Sequence, residues 1–197
     1  SGEIKPVFSG QNVGVDFNIP SSIVKISPIT ADFNSTLKSQ LEFPYASYIT
    51  TIDKAIWNIK EKKINMSGLL ENSMFKSTNP TQYGLKFNGS AATYDIVSMN
   101  LSIAGVKGIN AADATIVPYK GLVSVKRDGM LEDFTNAKII ADTLNKYHTL
   151  TKANVKINSK LSYSGNADYQ FVNVKSDTFN IKLSNFEFAE VDAQGNI

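Results

Sequence analysis

Two stretches of this chain, residues 53–68 (DKAIWNIKEKKINMSG) and 90–105 (SAATYDIVSMNLSIAG), align without a gap at an offset of 37 residues, Ala55 falling on Ala92. Trp57 meets Tyr94, Asn58 meets Asp95, Ile59 meets Ile96, Ile64 meets Leu101, Met66 meets Ile103 and Gly68 meets Gly105. Each stretch reads as a strand opening on Ala-x-aromatic, a polar turn, a second strand with apolar residues two apart, and a closing glycine. Such a unit exposes an apolar face that only a neighbour can cover. Its recurrence therefore constrains the chain to stacked β-structure.

The rest of the chain supports that class. Val13, Val15, Phe17 and Ile19 alternate with Gly14, Asp16 and Asn18, the period of a strand buried on one side. Pro20, Ser21 and Ser22 end it, and a second strand runs from Ile23 to Ile26 before Pro28. Residues 28–40 are rich in Ser, Thr and Asn and read as a connection. Pro44, among Phe43, Tyr45 and Tyr48, predicts an edge or bulged strand over 41–52. Strands are predicted at 54–59 and 63–67, joined by Lys60-Glu61-Lys62. A further strand is expected within 69–77, followed by a turn at Thr78-Asn79-Pro80-Thr81.

Beyond Gly105 the pattern continues in shortened form. Ala114 and Ile116 lead, by a turn at 118–121, to Val123 and Val125. Echoes recur at Ala137 and Ile139, Ala153 and Val155, and Ala167 and Tyr169. Phe179, Ile181 and Leu183 share one parity, whereas Phe186 and Phe188 share the other, which calls for a bulge or turn near Ser184-Asn185. Over 132–148, Phe134, Ala137, Ile140, Ala141, Leu144 and Tyr147 also fit a helical stripe. The competing assignment is a strand at 137–141 with a turn at 142–146. The fold class expected is all-β: an elongated antiparallel jellyroll or sandwich, or a solenoid-like stack of strand–turn–strand units. One β-rich domain over 1–197 is expected, with a sub-boundary near 28–40. The opening Ser-Gly-Glu, without an initiator methionine, suggests a piece of a longer protein.

Composition narrows function mainly by exclusion. A net charge of +2 is too small to draw nucleic acid or an anionic membrane by bulk electrostatics. No apolar run reaches the length of a membrane span. The absence of cysteine removes disulfides, thiolate zinc sites and a cysteine nucleophile. With His148 the single histidine, a multi-histidine metal site is excluded too. Asp128, Glu132 and Asp133 form one carboxylate cluster and Glu187, Glu190 and Asp192 another. Neighbours in a strand point to opposite faces, so Glu132 and Asp133 are poorly placed as an acid–base pair. Calcium-loop, phosphate-loop and dinucleotide patterns are absent. The expectation is no catalytic residue, no metal and no cofactor.

Tyr45, Tyr48, Trp57, Tyr94, Tyr163 and Tyr169 could pack across strands or form an aromatic platform. Trp57 and Tyr94 are the candidate ligand-facing residues. Lys60, Lys62 and Lys63 belong to a solvated turn.

Residues 91–116, AATYDIVSMNLSIAGVKGINAADATI, resemble in cadence the OstA-like family, periplasmic proteins that carry lipopolysaccharide between bacterial membranes. They are also similar to large repetitive envelope proteins of Bacteroidetes-type bacteria. The resemblance is best over 53–125. It implies a jellyroll open like a folded taco, an apolar interior that takes acyl chains, and a place in the periplasm or at the cell surface of a Gram-negative bacterium. The leading expectation is a non-enzymatic structural or interaction module of a cell-envelope protein. The alternative is a lipid or glycolipid carrier, and the third a carbohydrate-binding or carbohydrate-active β-sandwich. The partners implied are lipid, glycolipid or other envelope proteins. Whether the two sheets close dry or stay splayed over a ligand is open at this point.

Overall fold

A computed structural model of the chain describes residues 5–28, 39–52, 54–68, 73–141 and 148–189. Strands make up 63% of the described residues, and there is no α-helix among them. The strands are β1 (Ser9–Gln11), β2 (Val13–Asn18), β3 (Ile23–Pro28), β4 (Gln40–Phe43), β5 (Tyr48–Thr50), β6 (Lys54–Asn58), β7 (Lys63–Ser67), β8 (Ser73–Ser77) and β9 (Lys86–Gly89). They continue with β10 (Ala91–Asp95), β11 (Leu101–Ala104), β12 (Ile109–Ala111), β13 (Ala114–Val117), β14 (Val123–Val125), β15 (Phe134–Ala141), β16 (His148–Ser159), β17 (Ser162–Val172) and β18 (Thr178–Ala189).

Successive hairpins alternate between two antiparallel sheets. The smaller has seven strands in the order β14-β11-β10-β7-β6-β3-β2. The larger has eleven, in the order β1-β4-β5-β8-β9-β12-β13-β15-β16-β17-β18. The expected all-β class holds, as two sheets not closed into a barrel, consistent with a sandwich. Consecutive hairpins lie in opposite sheets and face each other across a core. The proposed boundary at 28–40 lies almost wholly outside the described residues.

The two aligned stretches form β6–β7 and β10–β11, and β7 pairs with β10 in the small sheet. Ala55 pairs with Met66 and Trp57 with Ile64; in the other hairpin Ala92 pairs with Ile103 and Tyr94 with Leu101. Their turns match as well. The Asn58 side-chain oxygen accepts the Glu61 N–H at 3.2 Å. Asp95 accepts from Val97 N–H at 2.9 Å and Ser98 N–H at 2.8 Å. Lys62 and Met99, the corresponding residues, are both left-handed, at φ +56° and +60°. A short Asn or Asp carbonyl holds each turn by mimicking a backbone acceptor.

These bonds favour the ionised form of Asp95. The Ser98 backbone N–H is the leading cause, and it holds the carboxyl below its ordinary value. A lowered folded pKa adds stability that is present above the unfolded value, about 4, and is lost as pH falls through the folded one. Replacing Asp95 with Ala is expected to flatten the acid limb of the pH–stability curve below about pH 4. An unchanged acid limb in urea melts would show that the turn draws nothing from the charge.

One sequence expectation changes here, and of the two assignments for 132–148 the strand is the one observed. Pro44 makes neither an edge nor a bulge: it sits in the turn between β4 and β5, which lie inside the large sheet. Its lack of an N–H matters little there, because a turn residue need not donate to a ladder. The helical stripe over 132–148 resolves into strand β15, with 142–147 outside the described residues. Phe134 and Ala137 stand three apart because a bulge lies between them, with Asn136 left-handed at φ +54°. An inserted residue shifts the parity of two and imitates a helical interval. The same device recurs at Lys152 (φ +50°) in β16 and at Asn185 (φ +55°) in β18. The predicted bulge at Ser184-Asn185 is therefore present, and it brings Phe186 and Phe188 onto the face that carries Tyr163.

The core lies between the sheets. On the large sheet one cross-strand row runs Leu41, Thr50, Phe75, Phe87, Ile109, Ile116, Ile139, Leu150, Tyr169 and Ile181. On the small sheet a row runs Phe17, Val24, Trp57, Ile64, Tyr94, Leu101 and Val125. Leu41 through Leu150 and Ile64 through Val125 are all buried, whereas Ile181 and Phe17 at the row ends are 41% and 63% exposed.

Candidate functional site

The two aromatic positions singled out from sequence occupy one slot but differ in surroundings. Tyr94 is fully buried, its ring 4.6 Å from that of Phe43 across the sandwich and its hydroxyl 3.1 Å from Met99 Sδ. Burial pushes its hydroxyl up to about 12, with Tyr45 adding to the shift. Trp57 lies nearer the β2 edge and is half-buried, with Phe8 edge-on at 5.7 Å. Its Nε1–H is enclosed without a hydrogen-bond partner. Tyr48 is buried, its hydroxyl 3.3 Å from Gln82 Oε1. Tyr163 is buried against Phe188 and its hydroxyl donates to Asp113 at 3.3 Å; burial and then Asp113 hold that hydroxyl well above its usual value.

His148 is exposed at the start of β16, its Nδ1 2.9 Å from the Tyr169 hydroxyl. Asp128, Glu132, Asp133 and Glu187 are exposed, while Glu190 and Asp192 lie outside the described residues. The Asp128 carboxylate accepts the Met130 N–H at 3.0 Å, a turn contact. Among the described residues no group of three or more His, Asp or Glu side chains could hold a metal ion. Lys60, Lys62 and Lys63 are exposed in and beside their turn.

The feature that alternation did not reveal is where the sheets stop covering each other. The large sheet has four more strands than the small one, and its last two, buried at Tyr163 and Ala167, lose cover toward their connecting turn. On their inner face Phe171 is 44% exposed, Phe179 50%, Ile181 41% and Phe188 40%. The rings of Phe171 and Phe179 lie 6.4 Å apart, a cross-strand pair with both rings exposed. Among the described residues β18 is also the last strand of its sheet, and one side of its twelve residues has no ladder partner there. At the other end, β2 is the edge of the small sheet, with Val15 54% and Phe17 63% exposed. The strand predicted at 13–19 is thus present but not buried on its apolar side.

Long edges of this kind are usually blunted by Pro, inward charge or a bulge. β18 carries its bulge at Asn185, which leaves the register of 178–184 unbroken, with Lys182 the one charged side chain along it. No helix among the described residues is long and apolar enough to cross a membrane. Comparison with protein-family models, curated proteins and solved structures finds no match.

Proposed function

We propose that this chain is a non-enzymatic interaction module of a bacterial cell-envelope protein, which takes its partner by strand addition along β18. The observation that carries this is the free edge of β18 joined to the exposed apolar ladder of Phe171, Phe179 and Ile181. An edge supplies main-chain hydrogen bonds, and a flanking apolar ladder supplies burial and register. Packing favours a module over a lipid carrier, because Tyr94, Phe43, Phe75 and Leu101 fill the space between the sheets with their own side chains. The envelope setting draws on the cadence of residues 91–116.

The test is titration of the ¹⁵N-labelled chain with an alternating valine–threonine heptapeptide. Chemical-shift changes confined to β17 and β18 are expected, and they should vanish with a peptide N-methylated at alternate residues. No shift up to ~1 mM peptide, the weakest binding of interest, would overturn strand addition.

A further inference from the structure

The free edge has a definite polarity. At the β17–β18 turn the Asn173 N–H donates to the Asp177 carbonyl and the Ser176 N–H to the Asn173 carbonyl, each at 3.0 Å, with Ser176 left-handed at φ +65°. Facing residues of an antiparallel pair alternate between exchanging both backbone bonds and exchanging none. Counting from Asn173 and Asp177 through the observed register, Phe171 bonds with Phe179 and Tyr169 with Ile181. Thr178, Asn180 and Lys182, the alternate residues, aim their N–H and C=O groups away from β17 at the open edge.

Two features bound the usable run. It starts at the turn, with Thr178, and ends at the bulge beside Asn185. Ile181 is the midpoint of 178–184. A two-fold axis through Ile181 sets Asn180 against Lys182 and Thr178 against Ser184, so outward backbone groups meet outward backbone groups. It sets Phe179 against Leu183 and Ile181 against itself, so apolar side chains meet on the inner face. An axis through Lys182 would oppose two lysines, which is unfavourable. An axis through Asn180 would pair a shorter run. The edge is therefore self-complementary in its hydrogen bonds, its apolar ladder and its length at one register only.

We infer that the partner is a second copy of this chain, joined by antiparallel β18–β18 pairing about a two-fold axis at Ile181, the isologous arrangement of most homodimers. This inference rests on strand addition at β18 as the mode of binding. The row from Leu41 to Ile181 then runs on, without a break, into the row of the second copy.

The chain has no cysteine, which makes a cross-linking test clean. Ile181 opposite Ile181 is a non-bonded pair, with Cα atoms about 4.5 Å apart, within the disulfide range of roughly 4.4–6.8 Å. Ile181→Cys is expected to oxidise to a covalent dimer. Phe179→Cys alone should stay monomeric, yet give a disulfide when mixed with Leu183→Cys. In sedimentation velocity the unmodified chain should dimerise. Asn180→Pro removes one outward N–H without touching the bonds to β17, and should weaken the dimer at least ~10-fold, that is by about 1.4 kcal/mol. An unchanged circular dichroism spectrum would show that this variant is folded. A chain monomeric at ~1 mM, or a disulfide yield from Ile181→Cys no higher than from Phe179→Cys, overturns self-pairing. If the valine–threonine heptapeptide still binds in that case, strand addition stands and only the second copy is wrong. If neither occurs, both fall.

Discussion

Tyr94→Ala is expected to cost roughly 3–5 kcal/mol, the range for deleting a buried aromatic whose cavity cannot collapse. Tyr94 has neighbours on every side. Ile64 and Leu101 flank it in the sheet, Phe43 faces it from the other layer, and Met99 meets its hydroxyl. All but Met99 are buried and sit on paired strands, so little can move into the space. Trp57→Ala removes a larger ring from the same slot of the neighbouring hairpin, but that ring is half-buried near the open β2 edge. Its expected cost is about 1–3 kcal/mol. Denaturant melts of the two variants check the ordering. Equal losses, or a loss under about 1 kcal/mol for Tyr94→Ala, would show that the core is less tightly closed at Tyr94 than its burial indicates. The raised hydroxyl of Tyr94 has a consequence at the alkaline end. Its contribution is complete below the unfolded value of about 10 and is lost as pH rises through the folded value.

Gly165→Ala is expected to cost about 3 kcal/mol or more, at the upper end for overpacking. Gly165 lies in β17, where it pairs with Val155 on one side and Phe186 on the other. A Cβ there would fall on the Asn154 carbonyl oxygen, far inside van der Waals contact. The obstacle is backbone, held in place by two strand neighbours, and cannot swing aside as a flexible side chain would. Glycine inside a strand often marks such a close approach. The bulges of β16 and β18 lie close by, at Lys152 and Asn185. Loss of the glycine would therefore disturb the part of the large sheet that carries Tyr163, Phe186 and Phe188. Thermal unfolding of Gly165→Ala is the measurement, and a melting temperature within a degree or two of the unmodified chain would contradict the account.

Alternation and turn chemistry act over a few residues, and what they dictate was legible in the chain. The class, the hairpins at 53–68 and 90–105 and the turn between β6 and β7 all follow from local pattern. So does the bulge between Leu183 and Phe186, because a change of parity on one face has no other cheap solution. The same logic could have placed the bulges at Asn136 and Lys152. Phe134 to Ala137 and Leu150 to Ala153 are also odd intervals, but an odd interval of three looks like a helical step until its strand partner is known.

Which faces are covered was decided elsewhere. Period two says that Val15, Phe17, Phe179 and Ile181 share a side with the core, and they do. It cannot say whether a second sheet extends over that side, because cover depends on how many strands each layer holds. Eleven strands against seven leaves Phe171, Phe179 and Ile181 of β17 and β18 exposed, and the end position of β2 leaves Phe17 bare. Trp57 and Tyr94 make the same point within one slot: identical spacing gave one half-buried ring and one closed in. Burial is a property of the opposing layer, set by contacts between residues far apart in the chain. The open edge of β18, on which the proposed function turns, could emerge only once the strands had been counted and ordered in space.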